Sequence, residues 1–201
     1  MTAADTIDTQ YCLALEQQGA MWIFFHDLFR SPSDAQWEWL NSVPATEAWN
    51  VLAKSLAANC PHRMPLPENI HDYEEEFIAV FEVGVPEPPC PLIESHWNKR
   101  DPLPKVLHEN MLFYKQFGLE LRSSANETAD HLRHQLEFLR FLCQLEIAAL
   151  SESSDNEKAE QIARARGDYI SRHPAEWIPR AAEALQAFLD KTEFLMLPDL
   201  A

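Results

Sequence analysis

Apolar positions along the chain recur with the period of an α-helix almost from end to end. From Tyr11 to Phe29 they fall at Tyr11, Leu15, Trp22, Phe25 and Phe29, with Met21, Phe24 and Leu28 beside them. So wide an apolar face predicts a central helix. Ser33 with Gln36 has the spacing of a capping box and predicts a short helix through Trp37 and Leu40. A third helix follows Pro44 on Ala45, Trp49, Leu52, Ala53 and Leu56, and a fourth is traced by Ile70, Tyr73, Phe77, Val80 and Phe81. Gly84 and Pro86 stop that fourth helix.

Pro104 suits the first position of the next helix, which shows Leu107, Met111 and Tyr114 and ends at Gly118 as a C-terminal cap. Thr128 is predicted to cap the longest pattern, which runs through Leu132, Leu136, Leu139, Leu142 and Cys143. A surface turn at 151–155 precedes a second capping box, Ser154 with Glu157. Pro174 and Pro179 are expected to break the last stretch into one turn and a final helix. No segment alternates with period two, and no internal repeat is visible. The pattern predicts an all-α fold of about eight helices in one bundle-like domain.

Two segments depart from this pattern. CPHRMPLPE at 60–68 is a proline-rich connector. The other, from Gly84 to about Pro104, holds six of the fourteen prolines and contains PPCPLIESHW. Prolines hold backbone extended and leave carbonyls without local donors. Such a segment is either a structural crossover whose Trp97 packs in the core, or one wall of a groove completed by Tyr73, Phe77 and Phe81. In the second case Glu94 can meet a cation at the rim. The segment is also a candidate hinge between two halves of the domain.

Composition narrows the function. The chain of 201 residues carries 32 acidic and 16 basic side chains, for a formal charge of −16. That disfavours nucleic acids and anionic membrane surfaces, and it favours a basic partner through long-range steering. Only four glycines occur, and no Gly-rich phosphate loop is present. Cys12, Cys60, Cys90 and Cys143 are scattered and form no zinc pattern, which fits a reducing compartment. The first basic residue is Arg30, so no signal peptide is expected, and no apolar run approaches bilayer length. A cytoplasmic location is expected.

Catalytic signals are weak. No Ser sits in G-x-S-x-G, and the neighbours Ser95 and His96 point apart in most backbones. Glu68–His71 is a lone Glu-x-x-His, whereas a di-iron bundle needs two. His131, His134 and Glu137 share roughly one side of a helix and are the alternative: a metal-dependent helical enzyme. Ordinary surface polarity accounts for that trio too. Asp130 and His131 fall near the start of the longest helix, where the dipole favours a carboxylate and a neutral imidazole.

YEEEFIAVFEVG at 73–84, then PPCPLIESHW, then DHLRHQLEFL at 130–139 together resemble the TorD/DmsD/NarJ family of maturation chaperones for molybdoenzymes of the dimethyl sulfoxide reductase class. The resemblance extends from the first helix to WIPR at 177–180. ENMLFYKQFGL at 109–119 resembles the branch serving ethylbenzene, dimethyl sulfide, selenate and chlorate enzymes. Many family members have Pro before the Asp-His pair, where this chain has Ala129.

The resemblance implies an all-α, non-catalytic protein, a monomer or a dimer of exchanged halves. It implies binding of an apo catalytic subunit through its twin-arginine leader, with help in cofactor insertion before export. No cofactor of its own is called for; nucleotide binding has been suggested for relatives, but no standard site is present. Such a leader is basic, then apolar. On this reading Asp130 and Glu94 are candidate partners for leader cations. His131 and Ser95 supply hydrogen bonds, and Tyr73, Phe77, Pro91 and Trp97 shape the groove. An acidic scaffold without leader recognition is the remaining alternative.

Overall fold

A computed structural model describes residues 3–56, 64, 66–122, 127–153 and 156–191. Among them every regular element is helical. In chain order these are α1 (Ala3–Leu28), α2 (Asp34–Leu40), α3 (Val43–Leu56), α4 (Ile70–Phe77) with a π turn (Ile78–Glu82), α5 (Glu94–Trp97), α6 (Leu103–Gln116), α7 (Leu132–Ser153), α8 (Asn156–Arg172) and α9 (Pro174–Leu189). The all-α expectation holds. The eight periodic segments each yield a helix, and α5 is a single added turn inside the proline-rich segment.

Long helix α7 is the axis. Leu132 and Leu136 near its start join a core cluster with Phe24 of α1, Leu40 of α2, Trp49 of α3, Tyr73 and Phe77 of α4, and Trp177 of α9. Farther along, Phe138, Leu139 and Leu142 join a second cluster with Tyr114 of α6 and Tyr169 of α8. α1 packs along α7. The side chain of Leu142 is fully enclosed, and burying a leucine is worth about 2 kcal/mol.

Local chemistry sets the element ends. Ser33 Oγ accepts from the Gln36 backbone N–H at 3.2 Å, as the capping box predicts, while the Gln36 side chain turns inward to donate to the Asp27 carbonyl. Asn69 caps α4 by accepting from Asp72 N–H at 3.1 Å. Gly118 ends α6 with φ +72°, a left-handed conformation that favours glycine. At Gly84 a Cβ would lie 2.1 Å from the Glu87 carbonyl oxygen, so the turn after the π segment admits only glycine.

Two expectations are corrected. α9 runs through Pro179 without a break, because Trp177 and Ala181 on either side are buried anchors and Pro179 faces outward. α7 is capped by His131, not Thr128. The His131 carbonyl accepts from Gln135 N–H at 3.2 Å, and its ring Nδ1 accepts from Arg133 N–H at 3.2 Å. Cys60, most of the connector at 60–68, and Ser154 with its capping box lie outside the described residues. Cys90 and Cys143 are buried free thiols, and Cys12 is half-buried and free. No helix among the described residues is long and apolar enough to cross a membrane.

Candidate functional site

The proline-rich segment and the approach to α7 are stitched together by backbone. Ile93 and His131 form an antiparallel bridge. Leu132 N–H donates to the Leu92 carbonyl at 2.8 Å, and Glu94 N–H to the Asp130 carbonyl at 3.0 Å. Asp130 then places one carboxylate oxygen 2.9 Å from Ser95 N–H and accepts from Thr128 Oγ at the other. It thereby satisfies the first turn of α5, which has no side-chain cap of its own. Trp97 donates its indole N–H to the Pro91 carbonyl at 2.8 Å, and Arg180 holds the Trp97 carbonyl.

Beneath this seam lies a buried polar network. Glu94 is 1% exposed and accepts from Gln135 Nε2 at 2.6 Å, Asn110 Nδ2 at 3.1 Å and His173 Nδ1 at 3.0 Å. Gln135 accepts from Trp177 Nε1, and Asn110 Oδ1 from the Tyr169 hydroxyl. Tyr114 donates to the Ala129 carbonyl at 2.8 Å. α5, α6, α7, α8 and α9 therefore meet through side chains whose polar atoms are almost all committed. Burial raises the pKa of both Tyr114 and Tyr169, so these phenols stay protonated donors.

Above the seam is an open cleft of about 390 Å³. Phe29, Phe77 and Phe81 form its aromatic side, with the Phe77 and Phe81 rings 4.9 Å apart and the Phe29 and Phe81 rings edge to face at 5.7 Å. Pro88, Pro91 and Ile93 form the opposite side, and His131 closes one end. The π turn shapes the first wall: Val83 N–H reaches back five residues to the Ile78 carbonyl. Such wide turns are frequent at functional positions. Glu82 and Glu87 stand at the rim, both exposed, and Glu87 lies 3.2 Å from the His96 ring. Among the described residues no Lys or Arg lines the cleft. Burial pushes the pKa of the His131 imidazole down to about 4, so the ring is neutral and its Nδ1 can accept.

The nitrate reductase delta subunit family model matches residues 42–183. The chain belongs to that family. A perchlorate reductase assembly chaperone of Dechloromonas aromatica is 30% identical over 75% of this chain and 66% of its own length. A selenate reductase assembly chaperone of Thauera selenatis is 35% identical over 73% and 71%. A chlorate reductase assembly chaperone of Ideonella dechloratans is 34% identical over 57% and 58%. The match thus spans just under two thirds of the first relative. Among solved structures, a redox enzyme maturation protein from Archaeoglobus fulgidus is 19% identical, with a TM-score of 0.45 over 74% of this chain and 91% of that one.

In this chain the residues singled out from the sequence do come together, but at different depths. Phe77, Pro91 and His131 border the cleft, but Phe77 is 2% exposed and Pro91 is buried, so both are core residues that show it only an edge. Tyr73 is 1% exposed and packs in the core against Trp37 and Phe77, and burial raises its pKa to about 12. Trp97 lies half-buried beneath the loop and holds Pro91 rather than lining the cleft. Ser95 contributes its backbone N–H. Glu94 and Asp130 are enclosed with their oxygens turned to internal donors, so neither carboxylate is presented at the surface. The carbonyl of Ala129 is pinned by the Tyr114 hydroxyl.

The metal trio does not converge. The His131 and His134 rings lie 6.3 Å apart, and both face the Glu127 carboxylate that Arg133 already binds. Glu137 is exposed. No group of three His, Cys, Asp or Glu side chains among the described residues is arranged to hold a metal ion. His71 pairs with Glu75, one turn on, rather than with Glu68.

Sequence reasoning missed Glu82, Glu87 and Phe29 at the cleft and Asn110, Gln135 and His173 below it. A signal existed for two of these. Asn110 and Gln135 sit at helical spacing from Tyr114 and Leu139, in the middle of apolar faces, where a polar residue is informative.

Proposed function

We propose that this chain is a non-catalytic assembly chaperone that binds the apo catalytic subunit of a molybdenum reductase in the cytoplasm, gripping its twin-arginine leader in the cleft above α7. The observation that carries this reading is the cleft itself, aromatic on one side, proline-walled on the other, rimmed by carboxylates and, among the described residues, free of Lys and Arg. A peptide that is cationic and then apolar matches that order of surfaces. The names of the relatives point to reductase assembly as the setting.

Glu82 and Glu87 take the role of cation partners, because the carboxylates of Glu94 and Asp130 are used internally. Phe29, with the ring edges that the largely buried Phe77 and Phe81 leave uncovered, receives the apolar run, while extended peptide backbone lies against the Pro88–Pro91 wall. Each cation–carboxylate contact at such an exposed rim is worth about 0.2–1 kcal/mol, so the apolar side supplies most of the affinity. Binding holds the client's leader away from the export machinery until its cofactor is in place. No covalent step is required of the chaperone.

The test is calorimetry with a synthetic peptide carrying an arginine pair followed by an apolar run of about fifteen residues, the length of a leader core. Glu82→Lys combined with Glu87→Lys should weaken binding about tenfold, a loss of about 1.4 kcal/mol. Raising salt should weaken the wild type in the same direction. Affinity unchanged in the double variant and indifferent to salt places the leader elsewhere.

A further inference from the structure

Charge is unevenly spread along the chain. Residues 1–98 hold fifteen acidic and three basic side chains, whereas residues 99–122 hold three acidic and five basic. The basic island centres on α6. Within α6 the one acid is Glu109, half-buried and paired with Arg172. Its outward stripe is Pro104, Lys105, His108, Met111, Leu112 and Lys115, all exposed. Met111 is 49% and Leu112 51% exposed, so two large apolar side chains stand in water beside cations. Asn110 and Tyr114 of the same run serve the buried network, but Met111, Leu112 and Lys115 serve nothing among the described residues that the cleft or core explains.

The complementary surface is on the same molecule. Along the outer side of α4 and the π turn runs a groove of about 400 Å³ lined by His71, Glu74, Glu75, Ile78, Ala79 and Val83. Ile78 and Val83 are 38% and 62% exposed. It is acidic with an apolar floor, the inverse of the α6 stripe. The groove and the leader cleft occupy different faces of one helical segment.

We propose that the outer face of α6 docks into the α4–π groove of a second copy of this chain, with Met111 and Leu112 on Ile78 and Val83 and with Lys115 and His108 against Glu74 and Glu75. The contact is weak and salt-sensitive. Two bodies of charge −16 repel, but at about 0.15 M salt the Debye length is about 8 Å. The summed repulsion is then screened, while the direct contacts survive.

Sedimentation velocity on the full chain tests this, independently of whether any leader binds. Between about 10 and 200 µM, the range of weak contacts, the weight-average mass should rise above the 23.1 kDa of one chain. His108→Glu with Lys115→Glu should hold the protein at monomer mass, as should Glu74→Lys with Glu75→Lys. An equimolar mixture of these two variants should associate again, because each restores the opposite charge to the other. Met111→Ser with Leu112→Ser should weaken association without changing the thermal melt. A wild type that stays at monomer mass overturns the proposal. So does a mixture that fails to associate, and so does a dimer insensitive to all the variants, as exchanged halves would give.

Discussion

Two pairs of carboxylates lie within fifty residues of one another and do opposite work. Glu94 and Asp130 are sealed in, each accepting hydrogen bonds from groups on other elements. Glu82 and Glu87 stand in solvent at the rim of the cleft. Glu82, Glu94 and Asp130 all fall in the sequence blocks that resemble the family, and Glu82 with Glu87 flanks the turn at Gly84. The difference teaches that membership of such a block does not tell an acid that builds the frame from one left in solvent.

The comparison breaks most sharply at Glu94. Glu94→Ala leaves donors from Gln135, Asn110 and His173 facing a void. Unfolding free energy in urea should fall by about 3–5 kcal/mol, as for a buried ionic partner removed. A loss under about 1 kcal/mol, the worth of one ordinary hydrogen bond, would show the network to be dispensable. Asp130→Ala strips the first turn of α5 and should cost about 1–3 kcal/mol in the same measurement. Any loss of leader affinity in that variant should be recovered by conditions that restore the fold, such as a stabilising osmolyte.

His131 sharpens the contrast through pH. Its pKa in the fold is about 4, below its ordinary 6.5, with burial the main cause. The neutral ring is the folded form, so its contribution is present above about 6.5 and is lost as pH falls towards 4. His131→Asn keeps a capping acceptor and should flatten the melting profile across that window; an unchanged slope would assign the acid sensitivity to other groups. Trp97→Phe loses the indole bond to the Pro91 carbonyl and should cost about 1 kcal/mol. Smallest of all, Glu82→Lys with Glu87→Lys should leave stability within about 0.5 kcal/mol while changing peptide affinity.

Helical period made the architecture legible, since long amphipathic segments bury one face and little else competes. Ser33, Gly84 and Gly118 were legible as boundaries because their side-chain chemistry is local. The start of α7 was not, because Thr128 satisfies the general preference for a cap while the bridge to Ile93 sets the backbone path and gives the cap to His131. The meeting of the proline-rich segment with the tip of α7 was legible through motif order. Depth was not: a carboxylate in a proline-rich segment reads as exposed until Asn110 of α6, Gln135 of α7 and His173 at the α8–α9 junction are seen to converge on it.

That convergence carries a consequence for biosynthesis. Glu94 emerges from the ribosome long before His173, and the nascent chain has no complete set of donors for it until α8 has been made. The cleft walls therefore gain their support only once α8 has been made. On the role proposed for the cleft, a growing chain would have no early, partly built grip with which to seize the wrong peptide.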